Sequence, residues 1–135
     1  MRIIFICLLL FGFAACGPKN NTEEQKKYMN GFWEIKEVIL PDGTVKPYNN
    51  NITVDKVDIE KNSGTKSKVT PIPGGSGYNP TTSSEEFVMT VEEDSIRLYY
   101  ATKFDSWKET VLVSNRDELH IRGKGGRVYI YHRFE

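Results

Sequence analysis

The sequence predicts an all-β domain over residues 30–135, an antiparallel sandwich or barrel of about eight or nine strands. Short runs rich in branched and aromatic residues recur along this part of the chain, and turn-forming residues separate them. No stretch shows the 3.6-residue apolar period of an amphipathic helix. Closely spaced strands and turns without helices between them are typical of antiparallel sandwiches and barrels.

The first predicted strand covers residues 32–40 and ends at "PDGT", from Pro41 to Thr44. Proline presets φ, aspartate caps a turn and glycine accepts a positive φ. We therefore expect a hairpin at this point.

The later strands follow the same logic, each bounded by polar or glycine-containing turns. Turns are predicted at Glu92 to Asp94, at Asp105 and Ser106, and at the "GKGG" run. The strands are predicted at residues 52–59, 87–91, 96–102, 107–113, 119–122 and 127–134.

One segment, from Lys61 to Ser84, breaks this rhythm. Its "PIPGGSGYNPTTSS" run holds three prolines and three glycines, and a short strand is predicted only near residues 66–70. Long irregular connections are usually either functional loops or disordered. The segment is predicted to be a lid over a binding site or a disordered loop, with Tyr78 as the residue to test.

The N-terminus has the pattern of an export signal. Arg2 is followed by thirteen uncharged residues, Ile3 to Ala15, too few to span a bilayer, which needs about 20. Phe13-Ala14-Ala15-Cys16 resembles the lipobox of bacterial lipoproteins. That resemblance implies a signal peptide over residues 1–15, acylation of Cys16, and a place in the cell envelope, with the outer membrane favoured.

Residues 16–29 are predicted to be a flexible tether between the lipid and the domain. The run "GPKNNTEEQKK" contains no aromatic or branched apolar residue and cannot bury enough surface to order itself. A helical turn around Glu23 to Met29 is the alternative.

A second resemblance concerns the start of the β domain. Gly31-Phe32-Trp33 is a G-x-W triplet and resembles the signature of lipocalins. The resemblance implies an up-and-down barrel of eight strands whose closed end is plugged by Trp33. It also implies a basic residue of the last strand packed over the indole, either Arg133 or Arg127. The chain looks most like the lipocalin-like lipoproteins of Bacteroidetes.

An eight-stranded barrel either is filled by side chains or holds one small ligand. The residues expected to point inward are Trp33, Ile35, Phe87, Met89, Leu98, Tyr100, Trp107, Val111 and Ile130. Of these, Phe87, Met89, Tyr100 and Trp107, together with Tyr78 of the long segment, are the candidate ligand-binding residues. Tyr99, Tyr129 and Tyr131 are expected on the opposite, outward faces.

Composition and motifs argue against other functions. Eighteen basic and eighteen acidic residues leave no positive excess for nucleic acid. The two histidines form no metal motif, and no nucleophile elbow occurs. We expect no cofactor, no metal and no enzymatic activity. Two functions remain: a lipid-anchored carrier of a small apolar or amphipathic ligand, or an interaction module with a filled core that binds an envelope protein.

Overall fold

A computed structural model describes residues 21–135, which form one α-helix, nine strands and a short 3-10 helix over Lys124–Gly126. The predicted signal peptide and Cys16 lie outside the described residues. The elements are α1 (Thr22–Met29), β1 (Gly31–Ile39), β2 (Val45–Pro47), β3 (Val54–Glu60), β4 (Ser63–Pro71), β5 (Tyr78–Glu92), β6 (Ser95–Ala101), β7 (Ser106–Ser114), β8 (Glu118–Arg122) and β9 (Val128–Arg133).

The strands form a closed antiparallel barrel. Sequential neighbours pair from β3 to β9, and β1 pairs with β3 on one side and with β9 on the other. Eight strands therefore make the ring, and β2 pairs only with the far end of β1. The predicted up-and-down barrel of eight strands is confirmed, and the sandwich alternative is wrong because no pair of sheet edges is left open to form two layers.

The first hairpin forms as its sequence predicts. The Thr44 amide donates to Asp42 Oδ1 at 2.9 Å, and Gly43 adopts φ 89°. The Gly43 amide donates to the Leu40 carbonyl at 2.9 Å. This turn lies at the open end of the barrel.

The prediction of a lid or a disordered loop from Lys61 to Ser84 is wrong. Strands β4 and β5 fill nearly all of this segment and pair from Ser63 with Val88 to Pro71 with Tyr78. Only residues 72–77 turn the chain. The prolines and glycines that suggested a long loop are concentrated in and beside this short tip.

The predicted flexible tether is wrong from Thr22 to Met29, where the alternative helix is present. The Asn21 side chain caps α1 by accepting from the Glu24 amide at 3.1 Å, and Glu23 and Glu24 occupy its first turn. Met29 at its end is buried, and Ser114 Oγ donates to the Gln25 carbonyl at 2.7 Å. The helix is thereby fixed to the barrel. No helix within residues 21–135 combines the length and the apolar character needed to cross a membrane.

The closed end of the barrel is built around Trp33. Its side chain is fully buried, and its Nε1 donates to the Met29 carbonyl at 2.9 Å. The Arg133 guanidinium lies over the indole, 4.1 Å from the ring centre. The predicted pairing of Trp33 with Arg133 is confirmed, and Arg127 lies exposed at the other end of β9.

Most of the residues predicted to point inward belong to the core, but the faces of β9 are reversed. Trp33, Phe87, Met89, Leu98, Tyr100 and Val111 form the buried core with others, and Ile35 and Trp107 pack against it. Tyr131 and Tyr129 also belong to this inner side, whereas Ile130, between them, lies on the opposite face of β9, where it is buried as well. The prediction of an inward Ile130 and outward Tyr129 and Tyr131 is therefore wrong.

Candidate ligand-binding cavity

The half of the barrel toward its open end is not filled by side chains. Two adjoining compartments, of about 430 Å3 and 310 Å3, share Asp55, Lys68, Tyr129 and Tyr131 in their walls. We call the larger one the polar compartment and the smaller one the apolar compartment. Both volumes lie in the range of small-molecule sites in proteins.

The polar compartment is lined by charged side chains of both signs. Asp55 and Glu109 are buried, and each is paired with a lysine of β4. Lys68 Nζ lies 2.8 Å from Asp55 Oδ1, and Lys66 Nζ lies 3.7 Å from Glu109 Oε1. The strand alternation of β3, β4 and β7 brings these four side chains to one interior surface.

Two buried polar atoms of this region have no hydrogen-bond partner among the described residues. They are Glu109 Oε1 and the Tyr100 hydroxyl. Lys66 Nζ, which is paired with Glu109, also lies 5.7 Å from the centre of the Tyr100 ring. The two groups are a donor and an acceptor close to each other, since a hydrogen bond with Glu109 is among the causes that raise the pKa of Tyr100, and a small shift of either side chain lets them satisfy one another.

Two tyrosines near the carboxylates are held in their neutral form. Burial, and then the charge of Glu109, raise the pKa of Tyr100. Burial, and then the charges of Asp55 and Glu109, raise the pKa of Tyr131 well above its usual value. Both hydroxyls therefore remain hydrogen-bond donors at any physiological pH.

Aromatic rings form part of the same wall. Trp107 lines the polar compartment and stacks on Tyr100, with ring centres 5.0 Å apart and an interplanar angle of 4°. Lys124, which is ion-paired with Asp105 at the rim, lies 4.7 Å above the Trp107 ring. Trp107 is therefore enclosed between an aromatic ring and a lysine.

The apolar compartment lies on the other side of the Asp55–Lys68 pair. Its wall is made mainly of apolar side chains, including Trp33, Ile35, Val38 and Ile52. The loop before β3 borders it, and Asn51 Nδ2 fixes this loop by donating to the Ile35 carbonyl at 2.8 Å. The cavity as a whole therefore joins a charged chamber to an apolar one.

The five candidate ligand-binding residues lie in three different places. Trp107 lines the cavity, whereas Tyr100 is buried beside Trp107 and lines neither compartment. Phe87 and Met89 are packed in the closed half of the barrel. Tyr78 lies outside the cavity, where its ring packs on Phe32 with centres 5.3 Å apart and borders a separate external groove.

Sequence reasoning missed the charged interior residues of the cavity. None of these four, Asp55, Lys66, Lys68 and Glu109, is among the residues that the sequence predicts to point into the barrel. The signal that could have found them is period-two alternation, since Asp55 lies two residues before Val57 and Glu109 two residues before Val111, and both valines are in the core. Within residues 21–135, no cluster of three or more histidine, cysteine or acidic side chains is arranged to hold a metal ion.

Comparison with known proteins adds no information about a ligand or a function to the geometry described above. A solved structure of a lipocalin-like protein from Bacteroides uniformis is similar, with 13% identity, a TM-score of 0.49, and coverage of 78% of this chain and 97% of that chain. No protein-family model and no curated protein matches the sequence. The fold assignment follows from the strand pairing and from the Trp33–Arg133 contact.

Proposed function

We propose that this protein binds one small amphipathic molecule inside its barrel and holds it at the cell envelope. The observation that carries the proposal is the pair of adjoining compartments on the inner side of the barrel, one lined by charged side chains and the other mainly by apolar ones. A purely apolar ligand suits this cavity poorly, because it would displace water from the charged side chains of the polar compartment without replacing its hydrogen bonds. Of the two kinds of ligand that the sequence predicts, apolar and amphipathic, we therefore propose an amphipathic one.

The alternative of an interaction module with a filled core receives less support. A core filled by side chains leaves no voids much larger than a water molecule. Each compartment here holds several hundred cubic ångströms. We propose a binding role without catalysis, because nothing in the cavity is arranged as a nucleophile with its base.

The proposed location depends on the sequence alone. The apolar run that ends at Cys16 supports export, acylation of this cysteine and retention at the outer membrane. Replacing Cys16 with serine should remove the acyl mass and release the protein from the membrane fraction. A Cys7→Ser precursor is the matched control, since Cys7 lies inside the predicted signal peptide. Retention of the Cys16→Ser protein in the membrane fraction would exclude the lipid anchor.

The binding proposal is tested by native mass spectrometry of the full chain purified from its own host. We expect a retained small molecule of defined mass on the wild-type protein. Ser83→Trp places an indole in the polar compartment and should abolish the retained mass. Ser84→Trp is the control, because neighbouring residues of a strand point to opposite faces, and it should keep the ligand. A ligand-free wild-type protein, or equal retention by both variants, would contradict the proposal.

A further inference from the structure

The turn between β8 and β9 contains the run "GKGG", from Gly123 to Gly126. Lys124 is therefore the only residue of the four that carries a side chain. Gly125 and Gly126 adopt φ angles of 70° and 76°, a region that glycine enters at little cost. The side-chain chemistry of this run is concentrated in one lysine, which is mounted on the residue type with the greatest backbone freedom.

This run lies directly against the cavity. A Cβ atom on Gly123 would lie 2.9 Å from Tyr129 Cε2 and 3.6 Å from Glu109 Oε2, and both residues line the polar compartment. The close approach therefore requires glycine at this position. From the next position Lys124 reaches over Trp107, with its Nζ 4.7 Å from the centre of the ring. The lysine thus covers a ring that belongs to the cavity wall.

Asp105 holds the lysine in this place. Their ion pair joins the β8–β9 turn to the β6–β7 turn. Asp105 itself is fixed, because its Oδ1 accepts from the Ser106 amide at 2.8 Å and its own amide donates to Thr102 Oγ1 at 3.1 Å. The hydrogen bond from Lys124, and then that from the Ser106 amide, lower the pKa of Asp105, so this carboxylate is charged at neutral pH. A fixed anion therefore holds a lysine on a glycine-rich turn.

The contacts that hold Lys124 are weak enough to open. The side chains of Lys124 and Asp105 are 57% and 55% exposed. An exposed ion pair shifts an equilibrium by about fivefold at most, and an exposed cation–π contact by about the same factor. Two such contacts keep the ammonium over Trp107 for most of the time and still let it leave often.

Resting on the proposed function, we infer that Lys124 is a movable cover of the ligand-binding cavity. In the closed arrangement its ammonium lies on Trp107 and pairs with Asp105. In the open arrangement the lysine side chain extends into solvent, and the uncovered face of Trp107 becomes a contact surface for the ligand. The ligand then reaches the polar compartment past the β6–β7 and β8–β9 turns.

The cover is tested without a ligand by quenching tryptophan fluorescence with acrylamide, a small uncharged molecule. Trp33 is fully buried, so the quenched signal comes from Trp107. Asp105→Asn leaves Lys124 and Trp107 in place and keeps an oxygen for the Ser106 amide, but it removes the charge that holds the lysine. We expect this variant to raise the quenching constant about two- to fivefold, toward the value of Lys124→Ala.

Asp42→Asn is the matched control. Asp42 Oδ1 also accepts from a backbone amide of its own turn, that of Thr44 at 2.9 Å, and the substitution removes the same charge. This variant should be quenched like the wild type. Added salt should increase the quenching of the wild type and leave Asp105→Asn unchanged, because salt screens an exposed ion pair. Wild-type quenching of Asp105→Asn, or an equal increase in Asp42→Asn, would overturn the inference.

Release of the retained small molecule separates this inference from the proposed function. In native mass spectrometry after timed washing of protein from the host, Asp105→Asn should lose the molecule about two- to fivefold faster than Asp42→Asn. Equal rates would overturn the inference, while the retained mass would still support the proposed function. A ligand-free wild-type protein would contradict the proposed function, and the quenching result would then decide the movement of Lys124 alone.

Discussion

Arg133 joins four parts of the molecule at the closed end. Its guanidinium covers the Trp33 ring and donates to the carbonyls of Tyr28 and Asn30 at 2.6 Å and 2.9 Å. Its Nε donates to the Arg116 carbonyl in the turn between β7 and β8. One side chain thus ties β9 to the helix end, to β1 and to a turn.

Arg133→Leu should destabilise the protein by about 1–3 kcal/mol, because it removes the cation–π contact and the hydrogen bonds to the carbonyls of Tyr28 and Asn30. The loss is measured as a shift in the midpoint of urea unfolding. Arg122→Leu, at an exposed position of β8, should change stability by less than about 0.5 kcal/mol. Equal effects of the two substitutions would show that Arg133 has no special role.

Gly31 explains why the triplet before the tryptophan begins with glycine. Its φ is 128°, and a Cβ atom at this position would lie 2.5 Å from Arg133 Nη1. Any larger residue would strain the backbone and displace the guanidinium from the indole. The sequence motif could be found without the structure, but its physical reason, the close approach of a residue about a hundred positions away, could not.

The reversed faces of β9 could have been predicted from the residues already chosen. Once Arg133 is placed on the inner side with Trp33, alternation puts Tyr131 and Tyr129 on that side too. Choosing Ile130 as the inward residue followed hydrophobicity instead of register. Hydrophobicity misled because this barrel interior accepts tyrosines and charges near its open end.

At the scale of elements, the same property hid the full length of β4, of which only residues 66–70 are predicted, and the first half of β5. Their inward positions include Lys66, Lys68, Ser83 and Glu85, so neither face of these strands shows an apolar pattern. The turn that joins β3 to β4, Lys61-Asn62, also lacks the glycine that marks most tight hairpins. A strand that lines a polar cavity cannot be distinguished from a loop by hydrophobic alternation.

The β3–β4 turn offers a test of this account. Lys61 is exposed and adopts φ 56°, which costs an L-residue about 1–2 kcal/mol, whereas glycine pays about 0.5–1 kcal/mol in chain entropy. Lys61→Gly should therefore stabilise the protein by about 0.5–1 kcal/mol in urea unfolding. Lys103→Gly, in an exposed turn without positive φ, should give no gain. A loss of stability in Lys61→Gly would contradict this account, because it would mean that contacts of the lysine side chain stabilise the turn by more than its positive φ destabilises it.

At the scale of the whole molecule, the strand count, the hairpin order and the closure by Trp33 and Arg133 were accessible from the sequence. These features depend on local turn chemistry and on one motif. The cavity was not accessible, because it depends on which charged residues from β3, β4 and β7 meet in the interior. Such a meeting is a property of register across the closed ring.

The barrel is closed by the pairing of β1 with β9, and we expect this pairing to be as stable as the rest of the barrel. We expect the backbone amides that join β1 to β9 to exchange with solvent only through global unfolding, at the slowest rates in the molecule. The amides of β2, whose three residues are exposed outside the ring, and those of the tip at residues 72–77 should exchange much faster. Native-state hydrogen exchange measures this directly. Fast exchange along the β1–β9 pair would show that the barrel opens there.

The docking of α1 against the closed end would also set the orientation of the molecule at a bilayer if Cys16 carries the proposed lipid. Five residues, Gly17 to Asn21, separate Cys16 from the helix, and a chain of that length reaches at most about 18 Å. With Cys16 acylated, the closed end of the barrel would lie next to the lipid and the open end would face the aqueous space. The ligand would then enter from the aqueous space, either from solution or from a partner protein, and would not be taken directly from the bilayer.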